Sequence, residues 1–293
     1  MTNPSYSARP IKRARRTRAQ IEQLDTQIVD VLREDNPQSV RHVFYRMTDP
    51  RLPEPVEKSD RGYRHAQDRC LKLRRAGRVP YSWISDTSRA GHHVVTYGGV
   101  GDFLRRVSGA YRAELWERPE VEMFCEVWCE SRSLAGVLID TCRELSVSLY
   151  PAGGFTSASF AYSAAMGLNR QGATKVFYIG DYDPAGVLID VSIERELRRH
   201  LDHKTYLEFE RIAITPEQIA MYDLPTKPRK QGERRATHVT ETVEGEAMPA
   251  GIMRALLREH IEAMLPDGLL DTVRAAEQSE RGVLMRIASG WRA

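Results

Sequence analysis

Apolar residues recur at Ile21, Leu24, Ile28, Val31 and Leu32 between polar neighbours, which predicts an amphipathic helix from about Thr17 to Arg33. Ser39 is placed to cap a second helix, Val40 to about Met47, whose buried face is Val40, Val43, Phe44 and Met47. A third helix runs from about Asp60 to Ala76 and stops at Gly77, with Tyr63, Ala66, Cys70 and Leu73 on one face. Val79 to Tyr97 carries Trp83, Ile84, Val94 and Val95 on either side of Ser88-Arg89-Ala90-Gly91, the pattern of a hairpin. A connecting helix, Phe103 to Glu117, leads to Pro119.

Beyond Pro119 the period changes from helical to alternating. Val121 to Glu130 reads as a strand, and Ser131 or Ser133 can cap a helix with Leu134, Val137, Leu138 and Leu145 on its stripe. A Gly153-Gly154 turn follows the next strand, and a third apolar run, Val176 to Ile179, ends in Gly180. Pro184 is preset for the first position of a helix, with Asp183 as its N-cap. Phe209 to Ile214 is a fourth strand, and Thr215 caps a helix from Pro216. Leu224 to Arg235 is a loop rich in proline and charge, and Leu256 to Leu265 and Leu269 to Ile287 are closing helices. The expectation is a basic flexible arm over 1–16, a helical domain over 17–117 and an α/β domain over 118–293.

At 293 residues the chain can bury two cores. A net charge of +3 names no partner, but its distribution is uneven: Lys12, Arg13, Arg15, Arg16 and Arg18 make a basic arm, and Arg61 to Arg78 is a second basic stretch. No apolar run approaches a membrane span and no signal peptide is expected, so no membrane partner is expected either. Cys70, Cys125, Cys129 and Cys142 form no Cys-x-x-Cys pair, which argues against zinc or a disulfide framework and for a reducing cytoplasm. His92-His93 lacks companion ligands, and Gly98, Gly99 and Gly101 do not complete a dinucleotide fingerprint.

The candidate chemistry lies at two places. Asp181 and Asp183 share strand parity beyond an apolar run, and two convergent carboxylates suit a hard cation such as Mg2+. Glu130 also stands at the carboxyl end of a strand, where open α/β sheets bind ligands. Glu122 and Glu126 share its parity but lie earlier and are read as solvated or paired. In the second helix, at about 100° per residue, Tyr45 falls opposite the apolar stripe and reads as solvent-facing, with Arg41 one turn earlier. Arg41 could hold a phosphate bidentately and favour the phenolate of Tyr45, or Tyr45 could be a surface residue on an arginine stem. On the third helix Arg61, Arg64, His65, Lys72 and Arg75 oppose the apolar face, a pattern for DNA phosphates diluted by Asp68.

A Glu after one strand, a Gly turn after the next and Asp181-x-Asp183-Pro184-x-Gly186 after a third resemble a TOPRIM domain. The Pro-x-Gly extension resembles the A subunit of topoisomerase VI and its meiotic double-strand-break relatives, in particular the short Mini-A proteins of that superfamily. Arg41-His42-Val43-Phe44-Tyr45 is similar to that family's Arg-x-x-Tyr/Phe-Tyr segment, and Val243 to Met248 to an acidic segment late in its TOPRIM domain, with Glu244 structural or near the site. The family often has Glu-Lys where this chain has Glu130-Ser131. The resemblance implies a winged helix, with the hairpin as wing, followed by TOPRIM. It implies a homodimeric topoisomerase-like transesterase acting on double-stranded DNA at the nucleoid. Tyr45 would be the nucleophile, giving a 5′-phosphotyrosyl link and a 3′-hydroxyl, with Mg2+ on Glu130, Asp181 and Asp183 or with Glu130 as general acid. The Tyr of one protomer would work with the acids of the other. No Walker lysine loop is present, so strand passage would need a separate ATPase subunit or a mechanism without one. Lys227, Arg229, Lys230, Arg234 and Arg235 could contact DNA or be solvated. Two alternatives stand beside this: a TOPRIM nuclease that activates water, and a non-catalytic winged-helix DNA-binding protein.

Overall fold

The computed structural model describes residues 16–85 and 94–290. Thr17 and Gln20 form a capping box that starts α1 (Arg18–Glu34), and Ser39 and Ser59 accept backbone N–H groups at the starts of α2 (Val40–Met47) and α3 (Asp60–Arg75). The expected stripes are the buried ones: Leu24, Ile28, Val31 and Leu32 of α1 meet Val43, Phe44 and Met47 of α2 and Ala66, Cys70 and Leu73 of α3. Buried Asp25 of α1 takes two hydrogen bonds from Arg69 of α3, at 2.7 and 2.5 Å, and this charge-assisted pair fixes the helix crossing.

The hairpin does not appear in the described part of its segment. Tyr81–Trp83 form a 3-10 turn, Ile84 makes a parallel bridge to Gln38 instead of an antiparallel pair, and residues 94–97 are not in a strand. The expected tip, with His92-His93, lies outside the described residues, as do Lys12, Arg13 and Arg15 of the basic arm. Arg16 is anchored, donating to Glu54 at 2.6 Å and to the carbonyl of Pro55 at 2.8 Å.

The connecting helix starts earlier and ends sooner than expected, as α4 (Val100–Ala110). The reason is the last helix, α10 (Leu269–Gly290), which packs on it. Glu277 accepts the N–H of Ala113 at 3.0 Å and Arg281 donates to the carbonyl of Tyr111 at 2.7 Å, so these groups leave the helical ladder.

The second half is a four-stranded parallel sheet in the order β2-β1-β3-β4, formed by β1 (Phe124–Cys129), β2 (Ser148–Pro151), β3 (Ala173–Ile179) and β4 (Tyr206–Ala213). Its crossovers are α5 (Arg132–Glu144), α6 (Ala158–Gln171) and α7 (Gly186–Arg198). Then come α8 (Pro216–Met221), a two-stranded ribbon of β5 (Lys227–Pro228) and β6 (Glu241–Thr242), and α9 (Ala250–Glu262). Both faces of the sheet are covered. Trp128, Val176 and Tyr178 pack under α6 and α7, while Val127, Cys129, Phe177 and Ile179 belong to a core on the other face that is continuous with α1, α2 and α3. Glu126 is therefore buried; its carboxylate accepts from the Trp128 indole at 3.1 Å, and burial pushes it up to about 7. All four cysteines are buried and free. The fold is mixed α/β, and among the described residues no helix is long and apolar enough to cross a membrane.

Candidate functional site

The chain leaves β1 toward β2 on one side and returns across it to β3 on the other, so the carboxyl ends of β1 and β3 flank the point where the winding reverses. Glu130 follows β1, and Asp181 and Asp183 follow β3. Glu130 N–H donates to the carbonyl of Ile179 at 2.9 Å, and its carboxylate accepts the N–H of Asp181 at 2.9 Å. A Cβ on Gly180 would stand 2.6 Å from the Tyr178 ring and 2.9 Å from the Glu130 carboxylate, so this approach requires glycine. Gly186 closes the Asp-Pro-x-Gly turn for the same reason: a Cβ there would lie 2.2 Å from the carbonyl oxygen of Asp181.

β3 ends at Ile179, before both aspartates, so hydrogen bonds rather than strand alternation aim their side chains. Asp181 accepts the N–H of Gly245 at 2.8 Å, while Asp183 accepts those of Ala185 and Gly186 at 2.8 and 2.6 Å; it holds the turn ahead of α7 rather than its N-cap, because the helix starts at Gly186, two residues later than expected, with Ala185 in the cap position. The Gly245 amide is in place because Tyr182 and Val243 exchange two backbone hydrogen bonds of 2.8 Å. That bridge also delivers a fourth acid. Glu246 is only 5 % exposed and accepts hydrogen bonds from Ser133 and Ser131, the latter standing where the resembled family often has lysine. Burial first, then Glu130 and Glu246, push the Asp181 carboxyl up to about 8, and burial raises Glu130 as well. Among the described residues, no three acid, histidine or cysteine side chains stand at direct coordination spacing. The donor set is nonetheless hard oxygen, crowded with like charge, and Mg2+ keeps several of its waters, so the residues suit such an ion chemically.

Two site residues are not legible in the sequence. Glu246 stands two positions from Glu244, and only the 3-10 turn Gly245–Ala247 sends the two acids apart. Arg211 of β4 donates to Asp190 at 2.5 Å, to the carbonyls of Gly180 and Asp181 at 3.2 Å and to that of Gly186 at 2.6 Å, and so braces the whole Asp-x-Asp loop. An arginine within a strand gives no signal of this.

Tyr45 corrects the helical-wheel reading. It is 5 % exposed, not solvent-facing. The wheel finds the face that α1 and α3 cover, but the opposite face of α2 is covered by the turn Gly245–Ala247 from the second half. Glu244 is the charge that acts most strongly on the Tyr45 hydroxyl, and Lys58 and Lys227 hold their ammonium groups 5.9 and 5.7 Å from its ring centre. Arg41 shares that side, as its spacing predicts, and pairs with Glu244, which also accepts from Lys227 at 2.8 Å. Burial and Glu244 raise the phenol above its ordinary value, outweighing the lowering effect of Arg41. The expected bias toward phenolate is therefore reversed, first by burial and then by Glu244.

A cleft of about 630 Å³ lies between the two halves, with Arg41, Tyr63 and Arg74 on one wall and Ser131, Ser133, Asp181 and Glu246 on the other. On the outer face of α3, Arg61, Arg64, Lys72 and Arg75 are exposed, and Lys72 is paired with Asp68 at 2.8 Å. In the 227–235 loop Arg229 is a structural staple, donating to the carbonyls of Glu233, Arg235, Ala236 and Val239, and Arg235 pairs with Glu233, while Lys230 and Arg234 are exposed.

No family model matches the chain. A stretch of 101 residues is 34% identical to a glycine--tRNA ligase of Thermococcus sibiricus (strain DSM 12597 / MM 739), covering 30% of this chain and 17% of that ligase.

Proposed function

We propose that this protein is a DNA transesterase of the topoisomerase VI A-subunit type, with a winged-helix half carrying the nucleophile and a TOPRIM half carrying the acids. The observation that supports it best is the meeting of two features at one cleft: Asp181, which neighbours Glu130 at the reversal of a parallel sheet, and, across the cleft, Arg41 of the helix that carries Tyr45. The oxygen of Tyr45 would form an ester bond to a backbone phosphorus, its proton passing to solvent water, as the bond to the 3′ oxygen breaks. That oxygen leaves as a hydroxyl, taking a proton that Glu130, with its raised pKa, is able to give. In the alternative, Glu130 is ionised and joins Asp181 and Asp183 in holding Mg2+, which would neutralise charge on the phosphate and the leaving oxygen. Cutting both strands takes two nucleophiles and so a homodimer, and strand passage would draw on an ATPase from a separate subunit. The short match to a glycine--tRNA ligase spans too little of either chain to bring that activity here.

The test is a reaction with supercoiled DNA and Mg2+ stopped by denaturant. A protein–DNA adduct is expected; cleavage without one would favour a TOPRIM nuclease, and binding without cleavage a DNA-binding protein.

The exposed face of α3 gives an independent prediction. Replacing Arg61, Arg64 and Arg75 together by Ala should flatten the slope of log affinity against log salt by about 0.9 for each phosphate these side chains neutralise, whatever the DNA sequence. Lys72→Ala should change it less, because Asp68 already neutralises Lys72. Fluorescence anisotropy across a salt series reads this, and an unchanged slope would move the DNA surface off α3.

A further inference from the structure

We propose that Arg41, Lys58 and Lys227 form a phosphodiester cradle around Tyr45, and that Glu244 occupies it in this structure as an intramolecular stand-in for the phosphate. The inference rests on the transesterase reading only for the identity of the anion.

Three cations converge on one buried phenol. Both oxygens of the Glu244 carboxylate are engaged as two oxygens of a phosphate would be, one by Arg41 and the other by Lys227 at 2.8 Å. Lys58 stands on the same ring, 5.9 Å from its centre, and spends one of its three donors on the carbonyl of Thr226 at 2.5 Å. Burial, and then the neighbouring Lys227, pull the Lys58 ammonium down to about 8, as expected where positive charge exceeds what Glu244 offsets. The nearest other acid, Glu246, is turned to Ser131 and Ser133.

Glu244 is suited to being displaced. Its side chain is 27% exposed and that of Arg41 42%, and Arg41 lines the cleft. It stands in the short link between β6 and a 3-10 turn rather than inside a helix or strand. Exchanging a carboxylate for a phosphodiester replaces one monoanion by another, so the swap leaves the local charge balance intact. It also takes Glu244 away from Tyr45 and sets a phosphate beside the hydroxyl in its place. Seating of the phosphate and its approach to the nucleophile are thereby one event.

The experiment measures affinity of the full chain for a short duplex in EDTA, so that neither metal nor cleavage enters. Glu244→Gln should tighten binding about tenfold, the scale of one charge-assisted hydrogen bond made available to the phosphate. Lys58→Ala with Lys227→Ala should cost little alone, because Glu244 competes for the site, but should abolish the gain when added to Glu244→Gln. Additive effects would mean a uniform charge effect and overturn the cradle. Unchanged or weaker binding by Glu244→Gln would overturn it too, and if its adduct were then lost, Glu244 would be a base and not a stand-in. Near-UV circular dichroism checks the fold. Glu244→Asp, which withdraws the carboxylate by one methylene, should show a smaller gain of the same sign and serves if the Gln variant does not fold. Failure of wild-type protein to form an adduct would sink the transesterase reading and leave this binding pattern standing.

Discussion

Tyr45→Phe should leave DNA bound and uncut. The substitution keeps the ring, its 5.2 Å contact with Phe44 and the flanking ammonium groups of Lys58 and Lys227. It removes the hydroxyl, so an attack through that oxygen loses its nucleophile and the adduct should fall by ~10³-fold or more. Stability should move by only about 1 kcal/mol, since one polar hydroxyl beside Glu244 disappears and the apolar packing stays. Affinity for uncleaved duplex should stay within a few-fold. Denaturant-trapped adduct, strand cleavage and affinity measured on the same preparation decide it. A variant that still cuts normally would make water the nucleophile, and the site would be that of a nuclease.

The second large effect separates the two aspartates. Both Asp181→Asn and Asp183→Ala should abolish Mg2+-dependent cleavage, but their effects on stability should have opposite signs. Asp181 has a folded-state pKa of about 8, above the ordinary ~3.9 of an unfolded chain. The folded protein therefore binds this proton more tightly. No penalty exists below the unfolded value; the penalty grows as pH rises from about 4 and levels off only above about 8. Asp181→Asn keeps an acceptor for the Gly245 N–H and removes the charge, so it should raise Tm, by a larger amount at pH 8 than at pH 5. At about 2–4 °C per kcal/mol, the gain at pH 8 should be easily resolved. Mg2+ should raise the Tm of wild-type protein at pH 8 and do little for the Asn variant. Asp183, by contrast, holds the turn that leads into α7 by accepting two backbone N–H groups, and Asp183→Ala should cost about 0.5–2 kcal/mol. Thermal scans at the two pH values, with and without Mg2+, test all of this. A lower Tm for Asp181→Asn at pH 8 would show that its carboxylate is not under electrostatic stress.

What can be read in advance follows from the range of the forces involved. Caps at Thr17, Ser39 and Ser59 and the stripes of α1, α2 and α3 are local, so the sequence carries them whole. The strand ends at Glu130 and before Asp181 are legible because apolar runs end in Gly or polar residues. The differences share one cause. The burial of Tyr45, the early end of α4 and the place of Glu246 each depend on a partner more than a hundred residues away. A helical wheel sees one neighbour, and α2 has neighbours on both sides. In the described part of the hairpin segment the reason is related: Ile84 makes an isolated bridge to Gln38, between α1 and α2.

The clasp of α10 on α4 bears on how the molecule is made. Tyr111 donates to Glu280 at 2.6 Å across 169 positions of sequence, and Asp35 accepts the N–H of Gly251 at 2.7 Å across 216. During synthesis the first three helices emerge long before the segments that cover them. Tyr45 then faces water on the nascent chain, and its shield arrives only with the turn at Gly245–Ala247. Closure of the fold around Tyr45 thus waits on the second half of the chain, and such long-range contacts are expected to slow it. Splitting the chain near its middle would leave the first half with the Tyr45 flank of α2 uncovered, an opening for misassembly.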